Sequence, residues 1–221
     1  MAAYNKSPKE VHMSTKSLTG WLLIAGPVLM FVVIGVLWEA LIGAGETAAD
    51  SVAEAMANEQ LARILLVVGM IVFTATFVGL VLLARSMKGE DKPGATYADV
   101  AGIIFVAVAG ASIVATGLSL GALDAAADSV SEGVTSEIVG NAVFAGVWVF
   151  WALGNLLLGS AMVMQKNLHA VVAWLLVGFG VFGLFTAVIS FSDIPDAVGM
   201  VIWLGLTLTN VAAGVLVLRA K

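Results

Sequence analysis

The amino-acid sequence predicts an all-α integral membrane protein whose six transmembrane helices form three tandem parallel-repeat hairpins. The chain has 221 residues, of which 61% are hydrophobic and 11% are charged, and its mean hydropathy is +1.05. A soluble domain would carry about 25% charged residues. Six runs reach the length of about 20 apolar residues that crosses a bilayer as a helix. These runs lie near 19–43, 61–85, 98–122, 138–164, 169–191 and 197–218.

The six runs predict a single transmembrane domain over residues 18–221, preceded by a polar cytoplasmic tail over residues 1–17. The tail carries lysines, but the run behind it is longer than a signal-peptide core and has no small-residue cleavage site. We therefore expect the tail to be retained. Pro27 lies inside the first run, where the loss of one backbone hydrogen bond is expected to kink the helix.

A repeated connector predicts the hairpin organisation. Residues 48–54 (AADSVAE) and 126–132 (AADSVSE) match at an offset of 78. A shorter third copy follows at an offset of 55, which aligns Trp148 with Trp203 and Asn155 with Asn210. Inverted repeats, which mark many secondary transporters, are not seen. We therefore expect parallel hairpins about an axis along the membrane normal, over about 19–88, 98–166 and 169–221.

The distribution of Lys and Arg predicts the orientation. Nine of the ten basic residues fall in the N-terminal tail, the second and fourth connectors and the C-terminus. The other connectors are acidic, and Arg63 is their single basic residue. Lys and Arg in short loops favour the cytoplasmic side. We therefore expect a multi-pass protein of the cell (inner) membrane, surrounded by membrane lipid, with both termini in the cytoplasm.

The acidic connectors carry carboxylates at every fourth position, which places them in one stripe on a helix. This spacing predicts short amphipathic outer-surface helices around 47–58 and 125–136. The stripe is either a solvated face or a surface for a basic partner or a divalent cation, although no loop has the spacing of a dedicated calcium site. Its members are Glu46, Asp50, Glu54, Asp124, Asp128 and Glu132.

The apolar runs exclude several kinds of chemistry. No Lys, Arg, Asp or His falls at the middle of any run, which argues against a proton-coupled pump, a retinal Schiff base and paired-histidine haem ligation. The chain has no Cys, so thiol catalysis, disulfides and Cys-ligated metal are excluded. No nucleotide-binding glycine loop, metal-ligand pair or catalytic triad is present. We therefore expect no enzyme activity, no cofactor and no nucleic-acid partner.

Polar residues within the membrane are functional candidates by default. Asn155 and Asn210 lie near mid-depth and correspond in the repeat, while Thr76 occupies the matching zone of the second run. We predict that they form a polar centre, either as interhelical hydrogen bonds of about 0.6 kcal/mol each or as a ligand site. The tryptophans expected near such a site are Trp148, Trp151 and Trp203.

Gly117 and Gly121 are the clearest instance of small residues spaced by four, a pattern that allows helices to approach closely in lipid. We predict a helix-packing role for this pair. The contact is either within the bundle or between two copies of the chain.

In length, number of spans and hairpin layout, the chain resembles small six-helix prokaryotic membrane proteins of unknown function. The resemblance implies no residue roles. From the residues alone, the leading expectation is a non-catalytic accessory or scaffold subunit that contacts a protein partner or a second copy in the membrane. The alternative is a binding or transport protein for a small neutral or apolar molecule held between the hairpins.

Overall fold

The structure is a computed structural model that describes residues 14–43, 45–188 and 196–220. Every regular element within these ranges is a helix. Of the predicted tail over residues 1–17, residues 1–13 lie outside the described residues, and the first helix already begins at Thr15. The helices are α1 (Thr15–Leu41), α2 (Ala48–Ala57), α3 (Glu59–Ser86), α4 (Ala95–Asp128), α5 (Val130–Gln165), α6 (Ala170–Val188) and α7 (Asp196–Arg219).

Six of these helices, all except α2, are long and apolar enough to cross a membrane, which confirms the predicted number of spans. The chain is therefore a multi-pass membrane protein. Helices α4 and α5 contain 34 and 36 residues. At 1.5 Å per residue they are about 50 Å long, whereas the hydrocarbon core is about 30 Å thick. Both helices of this hairpin are therefore longer than the apolar layer is thick.

The two acidic connectors adopt different structures. The first contains α2, which begins with a reciprocal cap: the Asp50 backbone N–H donates to Thr47 Oγ1, and the Thr47 backbone N–H donates to Asp50 Oδ2. In the second connector, the prediction of a separate helix at 125–136 is wrong, because α4 and α5 continue through this segment and meet at Ser129.

A glycine explains the difference between the connectors. Gly45 approaches the start of α2 so closely that an added Cβ would lie 2.2 Å from the Ser51 nitrogen. At the 78-residue offset its counterpart is Leu123, whose side chain does not permit such a turn. The second connector therefore continues as helix to the single extended residue Ser129 (φ −151°, ψ 113°).

The spanning helices pack mainly on their neighbours in the chain. Helix α1 packs on α3, α3 on α4, α4 on α5 and α5 on α6, and α7 returns to pack on α1. The contact between α6 and α7 is the least extensive of these, counted over the described residues. The result is a ring of helices around one shared core.

Helix α1 changes its winding after Pro27. The segment Phe31–Trp38 is π-helical, and the backbone N–H of Gly43 then donates to the Trp38 carbonyl. Proline removes a backbone donor from the helix, and π-helical turns frequently occur at functional sites. The helix expected to kink at Pro27 therefore continues to Leu41 through a wider, π-helical stretch.

Close helix contacts occur at glycines other than the predicted pair. An added Cβ at Gly214 would lie 2.7 Å from the Gly20 carbonyl oxygen, and one at Gly159 would lie 2.8 Å from the Ala173 oxygen. At Gly117, by contrast, an added Cβ would meet nothing within 4 Å, and at Gly121 its nearest neighbour is 3.9 Å away. Gly117 and Gly121 are therefore not points of close helix approach within the bundle, and their packing role, including a contact between copies, stays a prediction.

The two described chain ends lie at the same end of the bundle, which we call the terminal end. The Lys16 ammonium donates to the Ala220 carbonyl, and Gln165 Nε2 donates to the Met87 carbonyl at 2.8 Å. The opposite end carries α2, and we call it the α2 end. Helices packed in this alternating order place every described basic side chain except Arg63 at or beside the terminal end. The cytoplasmic location of that end stays a prediction.

Candidate functional site

A cavity of about 840 Å³ lies between the helices in the α2 half of the bundle. It is lined from the C-terminal half of α1, the N-terminal half of α3, the C-terminal half of α4 and residues 137–151 of α5. Thr186 of α6 and the first turns of α7 complete it. Its volume falls within the range of about 300–1,000 Å³ that is typical of small-molecule sites.

Helix α2 closes part of the cavity. Its buried residues Val52 and Ala55 line the cavity and are 3% and 5% exposed. Ala55 also packs in a small apolar cluster with Val33 of α1 and Leu65 of α3. Since α2 contacts α3, α4 and α5, it spans several helices of the ring. This short helix therefore covers part of the cavity at the α2 end.

The lining is strongly aromatic. Four of the six tryptophans and two phenylalanines contribute to it. Trp38 belongs to the π-helical segment, and Ile34 and Gly35 from the same segment also line the cavity. Such walls favour apolar and aromatic ligands, because large rings bury much surface with little loss of side-chain entropy. The aromatic lining residues are Trp38, Phe73, Phe144, Trp148, Trp151 and Trp203.

The polar groups of the lining are few. Most hydroxyls donate to their own helix, as Ser112 does to the Val108 carbonyl at 2.7 Å. Trp151 is 2% exposed, and its Nε1 has no hydrogen-bond partner among the described residues. Glu137 is the one charged side chain among the described lining residues, and Asn141 follows it one turn later on α5.

The predicted polar centre lies deeper than the cavity. Thr76, Asn155 and Asn210 are each at most 1% exposed, and none of them is among the described lining residues. Thr76 donates to the Val72 carbonyl at 3.1 Å, and Asn155 Nδ2 donates to the Trp151 carbonyl at 3.0 Å. Both polar atoms of the Asn210 side chain lack a partner among the described residues.

A group of aromatic rings that pack edge-on or tilted against one another lies between the cavity and these residues. Phe77 packs edge-on against Trp151 with ring centroids 5.6 Å apart, and against Phe73 at 4.9 Å. Phe77 is fully buried and continues the aromatic contacts to Phe105 of α4. The tryptophans expected near the site therefore do line a cavity. The rings of Phe73, Phe77 and Trp151 form the end of the cavity, which we call the aromatic floor, and the mid-depth amides lie beyond it.

The six residues of the predicted acidic stripe have several different surroundings. Asp50 caps α2, and Asp124 pairs with Arg63 across 2.7 Å. Glu54 packs against Gly43, and its Oε2 is buried without a partner among the described residues. The remaining members are exposed: Glu46, Asp128 and Glu132.

No group of three or more metal-ligating side chains occurs among the residues that the structure describes. The acidic residues at the α2 end form a region of negative charge. Arg63 is the single described cation at that end, and it is already engaged by Glu59 and Asp124 at 2.8 and 2.7 Å.

Comparison of the chain with protein-family models, with curated proteins and with solved structures gave no match.

Proposed function

We propose that this protein binds a small, largely apolar organic molecule in the cavity beneath α2. The observation that carries the proposal is the cavity itself: about 840 Å³ in volume, with walls from all six spanning helices and six aromatic side chains in its lining. Burial of apolar surface contributes about 25 cal/mol per Å² before the costs of association. A ligand that fills such a space therefore has a substantial driving force.

The terminal half of the bundle supports binding rather than an open passage. Its core side chains pack with almost no exposed surface: Phe77, Leu80, Leu158 and Leu176 are all 0% exposed. The cavity therefore ends at the aromatic floor in this conformation. Transport would require a second conformation with a cavity in the terminal half.

The accessory or scaffold role stays a prediction from the sequence. It predicts that a protein partner copurifies in mild detergent, and a clean monomer would count against it. The three tandem parallel hairpins also remain part of the proposal, and the closed order of helix contacts supports them. A ring made of like hairpins would place equivalent faces around one central space.

The binding proposal is tested by tryptophan quenching. Replacing Trp21 and Trp174, which are 54% and 60% exposed, with Phe leaves four tryptophans, all of which line the cavity. The probe is bromododecanol with bromine at the end of its tail, because bromine quenches indole fluorescence on contact. We expect saturable quenching in micelles of a neutral detergent.

A filled cavity provides the control. Thr116→Phe with Ala145→Phe adds two rings to the lining of α4 and α5 and should abolish the saturable phase. Ile103→Phe with Val106→Phe adds the same rings at positions 70% and 57% exposed, outside the described lining, and should leave quenching unchanged. Equal quenching in all three proteins would overturn the proposal, since it would report partition into the micelle alone.

A further inference from the structure

The second hairpin lacks a cation that the first hairpin contains. Glu59 in the first hairpin accepts two hydrogen bonds from Arg63, four residues later, at 2.9 and 2.8 Å. At the 78-residue offset Glu59 corresponds to Glu137, and Arg63 corresponds to Asn141. The acid is thus retained while its partner has become a neutral amide.

The structure places this altered pair on the cavity wall. Both Glu137 and Asn141 line the cavity, one turn apart on α5. Glu137 is half-buried and has no ion pair or hydrogen bond with any described residue. A half-buried carboxylate without a partner loses solvation without recovering it, so a positive group beside it would be stabilised.

The other charges at the α2 end are mostly negative, as is that of Glu137. The α2 end carries the acidic connectors, and its single described cation, Arg63, is shared by Glu59 and Asp124. Every other described Lys and Arg lies at or beside the terminal end. A low-dielectric cleft surrounded by one sign of charge concentrates that field and attracts the opposite charge. The cavity therefore attracts cations.

The shape of the lining indicates where each part of a ligand would lie. Along α5 it extends from Glu137 to Trp151, a separation of about 21 Å at 1.5 Å per residue. Beyond Asn141 the lining of α5 is apolar or aromatic: Phe144, Ala145, Trp148 and Trp151. Charge is thus confined to the α2 end of the cavity, and apolar surface extends to the floor.

We propose that the ligand of this cavity is an elongated organic cation, with a protonated amine or quaternary ammonium at Glu137 and Asn141 and an apolar tail directed toward Trp151. This inference rests on the proposed function and narrows it from an apolar molecule to an amphipathic cation. The carboxylate supplies the opposite charge, the amide oxygen of Asn141 supplies an acceptor for the N–H groups of a protonated amine, and the tryptophan faces accommodate the apolar tail by dispersion.

The experiment compares three probes with one tail and different heads, using the four-tryptophan protein described above. The heads are trimethylammonium, hydroxyl and carboxylate, each on a dodecyl chain with terminal bromine. We expect the cation to bind about tenfold more tightly than the alcohol, and the carboxylate to bind most weakly. Quenching by the cation should also weaken with added salt, because the attraction is electrostatic.

Two substitutions test the assignment to Glu137. Glu137→Gln should reduce the affinity for the cation about tenfold and leave that for the alcohol unchanged. Asn141→Arg recreates on α5 the acid–base pair of the first hairpin, so it should remove the preference for the cation and improve binding of the carboxylate. The second variant separates charge from blockage, because a merely blocked cavity would lose all three probes.

The outcomes distinguish this inference from the function on which it rests. Saturable binding of all three probes with equal affinity, or an unchanged cation affinity in Glu137→Gln and Asn141→Arg, would overturn the cation assignment and leave the binding function standing. Saturable binding of none of the probes would overturn both.

Discussion

Arg63 Nη2 lies 2.7 Å from Asp124 Oδ1 and joins the first turns of α3 to the last turns of α4. The same nitrogen lies 2.8 Å from Glu59 Oε1 on its own helix. One cation therefore serves two carboxylates at the α2 end, and it does so outside the cavity lining. The contrast with Glu137, which faces the cavity without a cation, is the feature on which the ligand assignment depends.

Arg63→Gln should lower the thermal midpoint slightly, and the loss should shrink at high salt. The Asp124 side chain is 71% accessible and the Arg63 side chain 33%, and ion pairs open to solvent contribute little and are screened. Thermal unfolding at low and high ionic strength measures the effect. Arg85→Gln is the matched control, since Arg85 is exposed and has no ion pair among the described residues. A salt-independent loss would contradict the electrostatic explanation.

Gly214→Ala and Gly117→Ala should change stability in opposite directions. A Cβ at Gly214 would lie 2.7 Å from the Gly20 oxygen, and such overpacking costs about 1–3 kcal/mol. A Cβ at Gly117 meets nothing within 4 Å, and alanine in a helix is favoured over glycine by about 0.5–1 kcal/mol. Thermal unfolding in micelles checks both. A destabilised Gly117→Ala protein would instead support a contact between copies at that face.

Asn210→Leu should leave stability unchanged or raise it. Asn210 is 1% exposed, and its side-chain nitrogen and oxygen have no partner among the described residues. An unsatisfied buried polar group costs about 1–3 kcal/mol, and an apolar side chain of similar size removes that cost. Asn155→Leu is the comparison, because it breaks the bond to the Trp151 carbonyl. A large loss in Asn210→Leu would show that the predicted polar centre exists.

Single cysteines test the orientation, and the chain contains no Cys to interfere. If the termini are cytoplasmic, Ser51→Cys and Ser129→Cys should react with an impermeant thiol reagent from outside the cell. Ser86→Cys and Asn167→Cys, at the terminal end, should react only after the membrane is permeabilised. The opposite labelling pattern would reverse the assignment of sides without changing the fold.

Hydropathy predicted the spans because a helix that crosses a bilayer needs a continuous run of apolar residues, and such runs are visible in the sequence. The connectors were harder: the spacing of carboxylates predicted a short helix in each of them, but a separate short helix, α2, lies only in the first, and α4 and α5 meet directly at Ser129 in the second. That difference depends on whether the chain turns at Gly45 or continues past Leu123. Carboxylate periodicity is the same in both connectors and contains no information about such a turn.

The lining of the cavity was predicted in part. Trp148, Trp151 and Trp203 were expected near a ligand, and all three line the cavity. Asn155 and Asn210 were expected there because they align in the repeat. Alignment specifies the depth and face of each residue, but it does not show that aromatic rings pack between these amides and the cavity. Glu137 and Asn141, which carry the proposed cation site, were not singled out from the sequence, although the offset of 78 already shows the change from Arg63 to Asn141.

The position of the bromine atom in crystals grown with the bromododecyl-trimethylammonium probe tests the central claim most directly. Anomalous scattering locates bromine without assumptions about the rest of the ligand. We predict a peak beneath α2 at the aromatic floor, in contact with Trp148, Trp151 or Trp203. Peaks confined to the lipid-facing surface, around residues such as Ile103 and Leu208, would contradict a binding site inside the bundle.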